Sequence, residues 1–264
     1  MFYTMKLVLS DNNKKELFIA LFHTLKNCSE TICLNLYDNY IYIQGMDKSH
    51  ICLYDVKIFR SWFNSYEKEM NDVESVCFNS NIFYTIISSK QENHQLVIHF
   101  THQDNDNINI DILANGNSNG EISKFFKIPL IEYECEMMNI PNNDYDAEFT
   151  ICSKKICEIA NQMLIFGNDI NIKCDEDKID LITNGNTGEM KVNICIDDLS
   201  EYSISEGAII DLKYSLNYVS KMCLSNRLSS NIEFSISAER PMRIKYNLGD
   251  NSAVLFYIAP KAEE

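Results

Sequence analysis

His94, His99 and His102, followed by Asp104 and Asp106, are the residues of this chain with the types needed for chemistry. Imidazole and carboxylate donors this close are what a hydrolytic metal centre uses, so a metal-dependent hydrolase is the enzyme that the segment could support. The spacing argues against it. His94 and His99 are an odd number of residues apart in an alternating strand, which sends them to opposite faces, and histidines incidental to a surface hairpin are the simpler reading. Cys152 and Cys157 flank a helix start, where a thiolate would be favoured, but no histidine follows His102, and both read as core thiols. The chain has no P-loop, H-E-x-x-H, G-x-S-x-G or Rossmann fingerprint, and NGNSNG (residues 115–120) is a turn before it is a phosphate cradle. No catalytic constellation is present, and neither a metal nor a cofactor is expected.

The 264 residues carry 38 acidic and 23 basic side chains, a net charge of −15. Such a chain does not grip nucleic acid by its overall charge, so any DNA contact must come from a locally basic surface. With 45% hydrophobic and 23% charged residues the composition is that of a globular protein, and no apolar run approaches membrane-spanning length. Neither a secretory leader nor a basic nuclear address is visible. Ten cysteines without a C-x-x-C pair fit reduced, buried thiols in an intracellular protein.

The elements that would position a functional surface come in two similar sets. Strand Met5–Leu9 leads through Ser10 and Asp11, N-cap residues, into a helix with Leu17, Phe18, Leu21, Phe22 and Leu25 on one face. Lys15 and Lys26, about three turns apart, share an edge of that helix, with Lys14 in its first turn. A hairpin around Asp38, the segment GMDKSH, a strand over residues 51–58, a helix from Ser80, and strands over 96–101 and 108–113 around a DNDN turn complete the first set. The second set repeats it. Strand Phe149–Cys152, with Ser153 as N-cap, leads into a helix with Lys154, Lys155, Glu158 and Asn161 opposite its apolar face. A hairpin over 170–183 and a strand over 189–196 follow. Strand 208–212 then feeds a helix with Leu212, Leu216, Val219 and Cys223 inward and Lys213, Asn217 and Lys221 stacked outward, before three closing strands. The chain is therefore expected to be α+β, two tandem similar domains of antiparallel sheets with two helices each, at 1–130 and 147–264. Residues 131–146 form the connector, acidic at its flanks, apolar at Met137, Met138 and Ile140, and broken by Pro141.

MDKSH at Met46–His50, NIP at Asn139–Pro141, SLNYVSKM at Ser215–Met222 and YIAPKAEE at Tyr257–Glu264 stand in family-like order and spacing. With the duplication, they make the whole chain resemble the sliding DNA clamp family, the proliferating cell nuclear antigens. The resemblance implies a pseudo-sixfold homotrimeric ring around double-stranded DNA. An ATP-dependent clamp loader would place it there, and it would tether DNA polymerase and other replication and repair proteins through clamp-binding peptides, without catalysis of its own. It would act where DNA is replicated, in the nucleus or at a cytoplasmic viral site, since abundant Asn, Ile and Lys suit an AT-rich genome. Carried over by match, the DNA-facing residues are Lys14, Lys15, Lys26, Lys154, Lys155, Lys213 and Lys221. The peptide pocket would be Met46, His50, Leu53, Met138, Ile140, Pro141, Pro241, Tyr257, Ile258, Ala259 and Pro260, with ordinary core the competing reading for Leu53 and Ile258. Subunit contacts would pair residues 121–128 with residues 188–196. The chain departs from the family in lacking lysines on the second helix, in Asn161 where arginine is usual, and in Glu176 where many members have a modifiable lysine. The runner-up is a clamp-fold accessory protein acting as a monomer or in a heterotrimeric checkpoint clamp.

Overall fold

The computed structural model describes residues 5–69, 74–101, 104–114, 122–134, 136–141, 144–223 and 227–262. They form two compact units. One comprises Met1–Gly45, Asp55–Met137 and Leu248–Ala253, the other Met46–Tyr54, Met138–Asn247 and Val254–Glu264.

The first half of the chain runs β1 (Met5–Leu9), α1 (Asn12–Leu25), β2 (Thr31–Leu36), β3 (Tyr40–Met46), β4 (Cys52–Phe59), a 3-10 turn (Arg60–Trp62), β5 (Ser65–Lys68), β6 (Glu74–Asn79), α2 (Ser80–Ser88), β7 (His94–Thr101), β8 (Asp104–Ala114) and β9 (Lys124–Pro129). The second half has the same order. It runs β10 (Ala147–Cys152), α3 (Ser153–Met163), β11 (Asp169–Cys174), β12 (Lys178–Gly185), β13 (Gly188–Cys195), a 3-10 turn (Ile196–Asp198), β14 (Glu201–Ile204), β15 (Ile210–Ser215), α4 (Leu216–Cys223), β16 (Asn231–Ile236), β17 (Met242–Gly249) and β18 (Ser252–Ile258). Pairing repeats as well as order. Strands β5-β1-β7-β8-β9 are neighbours in that order and correspond to β14-β10-β16-β17-β18, while β4-β3-β2-β6 correspond to β13-β12-β11-β15. A chain duplicated down to its hydrogen-bond order is an α+β protein of two tandem repeats.

Local chemistry explains the helices. Asp11 accepts from the Lys14 amide at 2.9 Å and caps α1, and Asn79 accepts from the Asn81 and Ile82 amides and caps α2. In the first unit Phe18, Phe22, Phe78 and Phe83 interlock, with the Phe22–Phe83 and Phe78–Phe83 centroids 4.5 and 4.4 Å apart. Stacked Phe149 and Phe234, 4.9 Å apart, and buried Tyr214, Tyr246 and Phe256 anchor the second. No described helix is long and apolar enough to cross a membrane.

Several expectations need correction. Ser153 is the first residue of α3, its buried hydroxyl lacks a hydrogen-bond partner, and Cys152 precedes it without a side-chain cap. Leu212 and Lys213 belong to β15, where Lys213 pairs with Asn171 of β11, so Lys213 is not on the stripe of α4. The segment Asp104–Asn107 is the start of β8, with Asp104 opposite Thr101, instead of a turn. Strands β6 and β14 were not foreseen. The reduced-thiol expectation fails at Cys33 and Cys77, which β2 and β6 place in register, 4.0 Å apart at Cα, and which form a disulfide. Cys152 and Cys157 are half-buried, while Cys28, Cys52, Cys174 and Cys223 are buried and outside any disulfide. His102, the NGNSNG turn, Glu121 and Cys135 lie outside the described residues.

Candidate functional site

The lysines named from the sequence meet different fates. Lys15 is 1% exposed, and its ammonium donates to the Glu92 carbonyl at 2.9 Å and to the His94 carbonyl. It is turned into the protein and does not face a ligand, contrary to its place on the helix edge, because the turn before β7 and the first residue of β7 each offer it an acceptor. Burial first, and then the nearby Lys90 charge, lower its pKa below 10.5. Lys14 is half-buried and paired with Asp250 at 2.8 Å, and Lys26, just past the end of α1, lies 4.0 Å over the Tyr84 ring. Lys213 is exposed on its strand and 3.4 Å from Asp169. Lys154 and Lys155 in the first turn of α3, and Lys221 in the last turn of α4, are exposed, and among the described residues none has a carboxylate partner. The two helices pack together, tied by Ser220 Oγ donating to Asn161 Oδ1 at 3.4 Å. On the other pair, α2 exposes Asn81, Ile82, Thr85 and Ser88 and no cation. Unmatched positive charge therefore concentrates on the helices of the second unit.

That unit also holds a cavity of about 360 Å3. Met46, His50, Leu53, Met138, Ile140, Pro141, Pro241, Tyr257 and Ala259 line it, as do four residues not named for the pocket from the sequence: Ile51, Asn139, Tyr145 and Arg240. Ile258 is fully buried on the opposite side of β18 from Tyr257, so it is core and not cavity wall, and Pro260 is not among the lining residues. The connector forms one wall without regular structure. Met138 is 39% exposed there. The chain end forms another, the Ala259 amide donating to the Ile51 carbonyl at 3.1 Å and the Lys261 amide to the Lys213 carbonyl at 2.7 Å.

Asp47 shapes the third wall. Buried at 7% exposure, its carboxylate accepts from the amides of Ser49, Ile51 and Cys52 at 2.9, 2.8 and 2.7 Å and from the Tyr218 hydroxyl at 2.6 Å. These bonds fold the loop so that His50 takes a left-handed φ of 57° at the cavity rim. Burial works against the Asp47 charge, but the Cys52 amide, the Tyr218 hydroxyl and the Ser49 and Ile51 amides outweigh it and hold the pKa below 3.8. A depressed carboxylate pKa stabilises the fold above the unfolded value and loses that contribution as pH falls through the folded one. Asp47→Asn is therefore expected to cost about 2 kcal/mol at neutral pH. In thermal melts, its gap from wild type should close as pH drops below about 4.

Elsewhere, His99 Nε2 lies 3.1 Å from Asp111, and the described residues contain no group of three or more His, Cys, Asp or Glu side chains placed to hold a metal ion.

Against known proteins, residues 10–138 match the family model "Proliferating cell nuclear antigen, N-terminal domain" and residues 139–261 its C-terminal counterpart. The chain is 27% identical over 255 residues to Proliferating cell nuclear antigen 2 of Plasmodium falciparum, covering 93% of this chain and 96% of that protein. It is 24% identical over 231 residues to proliferating cell nuclear antigen of Chaetomium thermophilum, covering 85% and 86%. Among solved structures, that of the Entamoeba histolytica protein superposes with a TM-score of 0.86 at 21% identity, over 99% of this chain and 100% of that one. That of PCNA from Thermococcus kodakaraensis superposes with a TM-score of 0.84 at 18% identity, over 98% and 100%. With the two family models together spanning nearly the whole sequence, the chain belongs to the proliferating cell nuclear antigen family and is a DNA sliding clamp, a polymerase processivity factor.

Proposed function

We propose that this clamp works as a homotrimeric ring that encircles duplex DNA. One observation carries the reading. In the second unit the end of β18 runs beside the start of β4, and in the repeat β18 and β4 correspond to β9 and β13. Yet β9 and β13 are each the last strand of their sheet among the described residues. The internal repeat thus supplies a template for joining β9 of one copy to β13 of the next, and such a head-to-tail contact closes into a ring. Two exposed apolar side chains support it, Phe125 on β9 at 70% and Ile165 after α3 at 68%. Ile165 is held near β13 because Gly185 packs so closely on the Phe166 carbonyl that a Cβ there would stand 2.2 Å from it.

Within the ring, the repeats 1–130 and 147–264 turn their helices to the DNA, and Lys154, Lys155 and Lys221 make weak phosphate contacts that permit sliding. The cavity receives short peptides of DNA polymerase and other replication and repair proteins, their apolar side chains against Met138, Pro241 and Tyr257 and their backbone along the chain end. An ATP-dependent loader places the ring on DNA at replication sites, and the ring itself catalyses nothing. Light scattering over a dilution series at two salt concentrations tests the assembly. A mass near three times 30.6 kDa is expected. A stable monomer would overturn the ring in favour of a monomeric accessory factor or one subunit of a mixed clamp.

A further inference from the structure

The cavity contains no carboxylate among its described lining residues, although acidic side chains outnumber basic ones 38 to 23 in the chain. It does contain a guanidinium. Arg240, half-buried beside Pro241, donates through Nη1 to the main-chain carbonyl of Asp144, and among the described residues no carboxylate lies within ion-pair distance of it. Arg243, three residues on, shows the contrast. Its Nη2 lies 2.8 Å from Glu148 Oε1 and its guanidinium 4.8 Å over the Tyr145 ring, so its charge is already matched.

We propose that Arg240 is a specificity residue of the cavity, selecting partner peptides that carry an aspartate or glutamate next to the apolar side chain they bury. The proposal rests on the reading of the cavity as a peptide site. A guanidinium has five N–H donors in a planar fork, and the Asp144 carbonyl accounts for one of them. An apolar peptide laid over Arg240 strips its water and returns nothing, whereas a carboxylate returns paired charge-assisted hydrogen bonds in a partly desolvated setting. The net charge of −15 repels an acidic peptide at long range, but beyond about 8 Å physiological salt screens that field and leaves the local contact to decide.

The test is fluorescence anisotropy with two fluorescein-labelled peptides, each carrying one leucine and two phenylalanine anchors, flanked in one by glutamate and in the other by glutamine. Wild type, Arg240→Gln and Arg240→Lys are titrated at physiological salt. The glutamate peptide is expected to bind wild type about 10-fold more tightly. That preference should vanish in Arg240→Gln and be only partly restored by Arg240→Lys, which keeps the charge without the fork. Equal binding of both peptides to wild type, or a preference that persists in Arg240→Gln, would overturn the role of Arg240 while leaving the peptide site standing. Failure of wild type to bind either peptide would overturn the peptide site itself, and this proposal with it. If Arg240→Gln does not fold, the two peptides on wild type still decide.

Discussion

With aspartate in place of Phe125, the protein is expected to run at about 30.6 kDa in light scattering instead of three times that mass. Phe125 is 70% exposed on an edge strand, where an aromatic ring is a poor choice unless something covers it. As the central anchor of a subunit contact, such a side chain is worth about 2–4 kcal/mol per interface, and a charge in its place adds the penalty of burying an unpaired carboxylate. A loss of about 3 kcal/mol weakens each contact by roughly two orders of magnitude. Since the side chain packs little in its own unit, the melting temperature of the monomer should barely move, which separates lost assembly from lost folding. A variant that stays trimeric would show that Phe125 lies outside the contact.

The second large effect is expected from Lys154→Gln, Lys155→Gln and Lys221→Gln combined. These exposed cations lack carboxylate partners among the described residues, so they are available to phosphates. For binding to linear duplex, the slope of log affinity on log salt should fall by about 0.9 for each phosphate contact removed. Affinity at low salt should drop roughly 10-fold or more. Lys15→Gln is the control. Its ammonium already serves two carbonyls inside the fold, so the salt slope should be unchanged while the protein melts earlier. A slope moved equally by Lys15→Gln would remove the distinction on which this reading of the surface depends.

Much of this was legible in the sequence, because hydrophobic period and capping residues are local signals. The strand at Met5–Leu9, the cap at Asp11 and the helix starting at Ser80 can be read from near neighbours alone, and the duplication from the order of such segments. What failed depends on distant partners. The edge position of Lys15 follows from helical spacing, but its burial follows from carbonyls at Glu92 and His94. Whether Lys213 continues a strand or opens a helix is decided by pairing with Asn171 in β11, which no window around residue 213 contains. Cys33 and Cys77 are 44 residues apart, and their pairing needs β6, a strand that had gone unread. Ile258 is different, because period-two alternation next to Tyr257 already placed it inward. Arg240 carried no motif at all, and only the closeness of Pro241 to the connector brings it into the cavity wall.

The segments that each unit borrows from far along the chain set a timetable for synthesis. Trp62 Nε1 donates to the Leu248 carbonyl, 186 residues later, and Lys14 pairs with Asp250. Asp47 in turn waits for Tyr218. At about 5–20 residues per second, the indole of Trp62 leaves the peptidyl-transferase centre roughly 10–40 s before its acceptor exists. The first unit therefore spends most of translation incomplete, with its aromatic core lacking its last strand segment, and that interval is when a nascent chain of this protein most needs a chaperone.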